Sequence, residues 1–290
     1  MKNLVLRTIT GVLFVALTVF CMVHSLSSCI IFSGVVAVLA NWEFCRNYDR
    51  HGCLSTRRFI NPLGTFILFV VILLSQDLLA PGVSIFFAFI PYIFLLLAMM
   101  MLVVINYDEE AESDAFIDLS VSVFSHIYTA APFAMLCILG MNSSAFGESY
   151  SFVLPLSVFI FLWTNDTGAY CTGSLLHGYF PKKMSPKVSP NKTWVGTIGG
   201  GVLCLVAACI LWHFFGTYSL PVWLGFAVVV SFFGTFGDLL ESTFKRTLGI
   251  KDSGNVLPGH GGILDRFDSA MMAVPATYVY FTAVNVFLMA

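Results

Sequence analysis

Apolar runs constrain this chain more than any other feature. Each approaches the roughly 20 residues that an α-helix needs to cross the hydrocarbon of a bilayer. In the 290-residue chain they fall at 6–25, 27–45, 60–79, 84–105, 117–140, 151–165, 193–215, 222–241 and 263–288. They predict a polytopic all-α integral membrane protein of about nine transmembrane helices. The segment 168–179 is too short and polar to cross alone and reads as a separate cytoplasmic or re-entrant helix. A large water-soluble core is excluded by charge. Only 10% of residues are charged, against about 25% in a soluble domain, too few to cover a water-facing surface. The chain reads as a single membrane domain over 1–290, with less informative helices in 1–142 and the polar motifs in 163–290.

The opening MKNLVLRTITGVLFVALTVFCMVHS has basic residues followed by an apolar run, as a secretory leader does. No A-x-A-like cleavage site follows and further apolar segments come at once, so a retained first helix is expected. The eight cysteines are scattered through apolar runs, without CxxC or a Cys/His cluster. Packing as reduced thiols is the expectation, rather than disulfides or zinc.

Orientation follows from the fourteen Lys and Arg residues. They sit at positions 2 and 7, at 46, 50, 57 and 58, at 182, 183, 187 and 192, and at 245, 246, 251 and 266. With a cytoplasmic N-terminus and nine spans, all of them fall on the cytoplasmic side, as the positive-inside rule requires. The acidic run 108–118 falls on the same side and reads as a solvated connector, since acidic residues count little in that rule. Glu43 in ANWEFCRNY reads as an interfacial residue beside Arg46.

Four polar stretches share that side: WTNDTGAYCTG from Trp163, PKKMSPKVSPNKTWVGTIGGG from Pro181, FGDLLESTFKR from Phe236, and FKRTLGIKDSGNVLPGHGGILDRFDS from Phe244. A carboxylate at a membrane helix end is expensive and usually has a partner. Asp166, Asp238 and Asp265 each stand at such an end, beside lysines, an arginine and Gly-rich turns. Hard oxygen ligands suit Mg²⁺, which commonly takes one or two carboxylates plus substrate phosphates. Lys and Arg neutralise phosphate charge, and Gly-rich helix starts offer backbone N–H groups to anions. The pattern is that of a polyphosphate and metal site. Bland readings stand beside it: lysines as topology signals, Asp as helix caps, Asp268 pairing with Arg266, and the glycines of GTIGGG as helix-packing residues. Neither GxxxxGK[ST] nor a strand-linked GxGxxG is present, so the signal is not a nucleotide motif of the common soluble kinds.

The stretch STFKRTLGIKDSGNVLPGHGGILDRFD, residues 242–268, resembles the signature of the phosphatidate cytidylyltransferase family, the CDP-diacylglycerol synthases. That signature runs Ser-x-apolar-Lys-Arg, four residues, Lys-Asp, a Pro-x-His-Gly-Gly stretch and Asp-Arg-x-Asp, and every specified position is met. The blocks DTGAYCTG from Asp166, SPNKTWVG from Ser189 and GDLLES from Gly237 are similar to the family as well. Two positions depart: Val195 stands where the family usually has Glu, and Ser174 where a basic residue is common.

The resemblance implies a Mg²⁺-dependent reaction of CTP with phosphatidic acid, giving CDP-diacylglycerol and pyrophosphate. It implies catalytic roles for Asp238, Asp265, Lys245 and Arg246. Metal ligation falls to Asp238 and Asp265, with Asp166 a third candidate and a second cation compatible with the site. Substrate contacts fall to Asp166, Ser189, Asn191, Lys192, Thr193, Lys251, Asp252, His260, Gly261, Gly262, Arg266 and Asp268. A bacterial cytoplasmic membrane, an active site on the cytoplasmic side and a homodimer are expected, and no nucleic-acid partner. Two alternatives stay open: the same chemistry on an ether-linked or isoprenoid lipid phosphate, and a cation-coupled transporter. The transporter is disfavoured because its carboxylates would belong near the bilayer midplane and no internal repeat is visible.

Overall fold

The computed structural model describes residues 2–48, 57–76, 85–105, 115–142, 150–256, 259 and 261–289. The element order is α1 (Lys2–His24), α2 (Leu26–Tyr48), α3 (Arg57–Leu74), α4 (Ile85–Ile105), α5 (Ala115–Asn142), α6 (Val153–Leu176), β1 (Lys183–Ser185), β2 (Ser189–Thr193), α7 (Trp194–Phe215), α8 (Leu220–Thr247), α9 (Leu264–Phe267) and α10 (Ala270–Met289). Among the described residues six helices are long and apolar enough to cross a membrane, and two shorter apolar helices, Thr8–His24 and Phe59–Leu74, accompany them. The architecture is that of a helical integral membrane protein.

Three features depart from the reading of the sequence. The segment 168–179 forms no separate helix: α6 runs without a break from Val153 to Leu176. A short antiparallel hairpin, β1 with β2, interrupts the otherwise helical chain, pairing Lys183 with Thr193 and Ser185 with Ser189. The apolar run 263–288 is broken at Asp268–Ser269 into α9 and α10, where Asp268 Oδ1 accepts from Ser269 N at 2.5 Å.

The chain divides into two compact units, each assembled from separate stretches. One comprises Met1–Thr18, Ser27–Ile138 and Asp252–Asp265; the other comprises Val19–Leu26, Leu139–Lys251 and Arg266–Ala290. In the first, a seam of polar side chains lies buried between apolar helices. Asn41 Nδ2 donates to Ser125 Oγ at 2.9 Å, Asn61 Nδ2 to Ser122 Oγ at 3.3 Å, and Thr65 and Thr129 share a hydrogen bond at 3.2 Å. Polar groups enclosed away from water must find partners among themselves, and across membrane helices such bonds also fix register. Asp118 belongs to this unit. Instead of lying in a solvated connector it is buried in the first turn of α5 and accepts from Tyr48 Oη at 3.0 Å. The rest of that acidic run up to 114 lies outside the described residues.

The second unit packs by size. On α7 the buried residues Gly196, Gly200, Cys204 and Ala208 recur every four positions, while Ile198, Val202, Val206 and Ile210 are exposed. Small residues on one face let backbones approach closely, and the branched residues on the other face suit lipid. The approach is to α6. A Cβ on Gly200 would sit 2.6 Å from Asn165 O, and one on Gly196 would sit 2.8 Å from Ala169 O. The glycines of GTIGGG therefore pack helices. Thr193 starts α7, its side chain accepting from Gly196 N at 3.2 Å, and Gly216, at φ +58°, ends it in the left-handed conformation that glycine adopts without strain. Deeper in, Phe161, Phe226 and Phe281 meet edge to face with ring centroids 5.0 Å apart at each step, beside the buried Trp223. The seven described cysteines form no disulfide among themselves.

Candidate active site

The polar ends of α6, α7 and α8 and the hairpin enclose a cavity of about 560 Å³ in the second unit. Its wall is a sequence pattern made physical. From α6 come Asn165, Asp166, Ala169, Tyr170, Gly173, Ser174 and His177, spaced to fall on one helix face. From β1 comes Lys183, and from β2 come Asn191, Lys192 and Thr193. The first turn of α7 adds Gly196 and Thr197, and α8 adds Thr235 and Asp238. The hairpin matters because it folds the lysines of an otherwise open loop back over the helix ends; Trp194 N donates to Lys182 O at 3.2 Å and closes its base.

The central contact is an ion pair, Lys192 Nζ to Asp238 Oδ2 at 2.6 Å, with both side chains about a quarter exposed, at 24% and 29%. Lys192 Nζ also donates to Thr235 O at 3.3 Å, and Asp238 Oδ1 accepts from Ser242 Oγ at 3.2 Å. The second carboxylate, Asp166, lies beyond the apolar run of α6 and opens onto the cavity. Loss of water to the packing around it, and next the charge of Asp238, push its carboxyl up to about 6, while Lys192 and Arg266 pull the other way. Between α6 and α8, Asn165 anchors the floor: Ser231 Oγ donates to its Oδ1 at 2.8 Å and its Nδ2 donates to Thr235 Oγ1 at 3.3 Å. Next to Asp238 on α8, Gly237 lets the 268–269 turn approach, since a Cβ there would lie 2.7 Å from Asp268 O.

Of the residues singled out in the sequence, the cavity gathers Asp166, Asn191, Lys192, Thr193 and Asp238. Thr193 serves as the cap of α7 as well. Ser189, half-buried, stands at the hairpin pair with Ser185. Lys245 Nζ pairs with the buried Glu241 at 2.5 Å, and Arg246 reaches two backbone carbonyls, Val188 O at 3.3 Å and Ile250 O at 3.4 Å. Arg266 is exposed, and Asp268 is half-buried in its turn. The other ten lining residues were not among the site candidates: Lys183, Gly196, Thr197 and Thr235 from the hairpin, α7 and α8, and Asn165, Ala169, Tyr170, Gly173, Ser174 and His177 along α6 and its C-cap. The signal of those along α6 is the spacing 166, 170, 173, 174 and 177, which becomes visible once α6 is read as continuous. Ser174, one of the two departures, lines the cavity; Val195, the other, does not.

The remaining residues belong to the first unit, in the stretch 252–265. Asp265 Oδ2 accepts two backbone N–H groups, from Ser253 at 2.9 Å and from Gly262 at 2.8 Å. The Gly262 amide, expected to face a substrate, is thereby engaged by Asp265. Gly261 has φ +82° and would carry a Cβ 2.7 Å from Asp265 Oδ2, so the turn needs glycine there. Lys251, in the second unit, and Asp252 are exposed, and His260 lies outside the described residues. Glu43 corrects the reading of its sequence. It is fully buried, Arg46 stacks instead over the Trp42 ring at 4.9 Å, and Glu43 Oε2 accepts from Leu264 N at 2.9 Å and Ser253 Oγ at 3.2 Å.

Comparison with known proteins gives this arrangement a family. The model of the cytidylyltransferase family matches residues 5–284, nearly the whole chain. The chain belongs to the cytidylyltransferase family. Within that family, a phosphatidate cytidylyltransferase of Staphylococcus haemolyticus is 41% identical over 170 residues, covering 56% of this chain and 64% of the relative. Those of Staphylococcus aureus and Staphylococcus epidermidis are 42% and 43% identical over 161 residues, covering 54% of this chain and 60% of each relative. The matched segment thus spans less than two thirds of these relatives' length.

Proposed function

We propose that the chain is a phosphatidate cytidylyltransferase, with CTP bound in the cavity of the second unit at the cytoplasmic face of a bacterial membrane. The observation that carries this reading is the Lys192–Asp238 pair, set with Asp166 and Lys183 in one cavity at helix ends. A water-soluble triphosphate needs cationic donors, and a lipid phosphate needs a site at the membrane surface. Nine spans with the N-terminus inside would put every Lys and Arg on that side.

The donor set fits a divalent cation. Asp166 and Asp238 are hard oxygen ligands that line the same cavity. Among the described residues no group of three or more His, Cys, Asp or Glu could hold an ion alone. Mg²⁺ commonly takes one or two carboxylates, with phosphate oxygens and water in its other positions. When bound, the ion would supply charge neutralisation at the phosphates.

The chain's residues then act by position and charge. The Lys192 and Lys183 ammonium groups neutralise the triphosphate, so that the anionic lipid phosphate can approach it. An oxygen of that phosphate attacks the α-phosphorus of CTP. The bond from that phosphorus to the bridging oxygen breaks, and pyrophosphate leaves with the electron pair. Asn191 and Thr197 are placed to donate to phosphate oxygens, and Tyr170 offers a face or hydroxyl to the nucleoside. The ligand role implied for Asp265 is tested in the same assay with Asp265→Asn.

The test incubates purified protein with labelled CTP, phosphatidic acid and Mg²⁺ in mixed micelles. Label should appear in a chloroform-extractable cytidine lipid, with pyrophosphate in equal amount. Ether-linked and isoprenoid phosphates in parallel reactions define the lipid. Label that stays in the aqueous phase with every lipid phosphate would refute the proposal.

A further inference from the structure

Glu43 stands on α2, in a helix long and apolar enough to span a membrane, and its side chain is fully buried. A buried carboxylate in such a helix is costly unless its oxygens are engaged. The groups it engages lie 210 and 221 positions away in the sequence. The Ser253 hydroxyl donates to Glu43 Oε2 at 3.2 Å, and the Leu264 amide donates to the same oxygen at 2.9 Å. The two contacts lie at opposite ends of the stretch 252–265, so one side chain clasps both ends of a loop.

Ser253 is the pivot of that clasp. It is fully buried. Its hydroxyl goes to Glu43, its N–H donates to Asp265 Oδ2 at 2.9 Å, and its carbonyl accepts from Asn47 Nδ2, also on α2, at 2.6 Å. Leu264, held by Glu43, is the neighbour of Asp265 in the chain. Two glycines of the stretch 242–268 find their reason here. A Cβ on Gly254 or on Gly262 would collide with the Glu43 carboxylate. The Gly262 Cα lies 3.3 Å from the position of a Gly254 Cβ, so the two glycines stand next to each other against the acid.

We propose that Glu43 is a positioning residue: through Ser253 and Leu264 it fixes the loop that presents Asp265, and Gly254 and Gly262 are small in order to admit it. The catalytic part of this inference rests on the cytidylyltransferase reading given above; the structural part stands without it.

The experiment uses the full chain in nanodiscs, with Glu43→Gln, Glu43→Ala, Gly254→Ala and the double variant Glu43→Ala/Gly254→Ala. Amide exchange over 250–268 is one readout and steady-state kinetics the other. Glu43→Gln keeps the volume and one acceptor, so it should speed exchange in this segment moderately. Glu43→Ala should speed it by at least about tenfold, while exchange in α7 and α8 stays as in the parent. In turnover, kcat should fall in the same order, by about tenfold or more for Glu43→Ala, with KM for CTP nearly unchanged. Gly254→Ala should be damaging alone yet add little once Glu43 is shortened, because the collision is gone. Unchanged exchange and kcat in both Glu43 variants would overturn the proposal, as would a rise in exchange spread evenly over the whole chain. Additive losses in the double variant would overturn the role assigned to Gly254. If the parent protein makes no cytidine lipid, the functional reading fails, and exchange alone decides whether Glu43 holds the loop.

Discussion

Replacing Asp238 by asparagine separates a residue that merely pairs with lysine from one that serves the reaction. The substitution keeps shape and removes one charge. As a structural pair, Lys192–Asp238 is short, at 2.6 Å, but its side chains are 24% and 29% exposed. Ion pairs open to water contribute about 1 kcal/mol or less. Losing Asp238 also relieves its repulsion with Asp166, which offsets part of that loss. The melting temperature should therefore fall by no more than about 2–4 °C. Function should respond on another scale. Removing one preorganised group aimed at transferring phosphate costs about 2.7–4 kcal/mol, or 10²–10³ in kcat. The assay follows cytidine label into extractable lipid over a Mg²⁺ titration, with a thermal melt on the same sample. An Asp238→Asn protein that keeps kcat within about threefold of the parent at every Mg²⁺ concentration would refute the role given to this carboxylate.

Lys192→Ala should raise KM for CTP and lower kcat, reducing kcat/KM by about 10- to 100-fold, the scale of a lost hydrogen bond to a charged group; Lys192→Arg should recover part of it. Gly200→Ala should destabilise the second unit by about 1–3 kcal/mol, because its Cβ would sit 2.6 Å from Asn165 O, at a seam without room to shift. Gly178→Ala, with nothing within 4 Å of its Cβ, is the matched control and should melt with the parent.

The long helices were legible because lipid imposes one length and one polarity, and both can be counted along a sequence. The polar residues at their ends were not, because their partners lie on other helices. Asn165–Asp166–Thr167–Gly168 reads as the end of a span. In the fold, Asn165 is satisfied by Ser231 and Thr235 and Gly168 packs against α7, so α6 continues and carries Tyr170, Ser174 and His177 to the cavity. The Gly-rich character of GTIGGG was visible, and of its two readings helix packing holds, through the four-residue period of Gly196, Gly200, Cys204 and Ala208. Glu43 was misread for a plainer reason. Its nearest charged neighbour in sequence is Arg46, but the donors it serves are more than two hundred positions away. No local pattern reports such a contact.

Four acidic residues divide by where their oxygens go, two against the loop and two against the cavity. Glu43 and Asp265 accept N–H and O–H groups of the loop 252–265, so they set backbone shape. Asp166 and Asp238 face a cavity whose other charged groups are lysines, so they set the electrostatics of whatever enters. On the cytidylyltransferase reading proposed above, two anions must meet at a membrane surface, and charge that is neutralised in the wrong place does not help them. On that reading, Glu43 and Asp265 would keep the loop's backbone in shape, and the two cavity carboxylates would leave a place for a divalent cation beside the lysines. The same physics that makes a buried carboxylate rare in a membrane helix makes Glu43 informative: its desolvation is offset only while the loop is closed upon it.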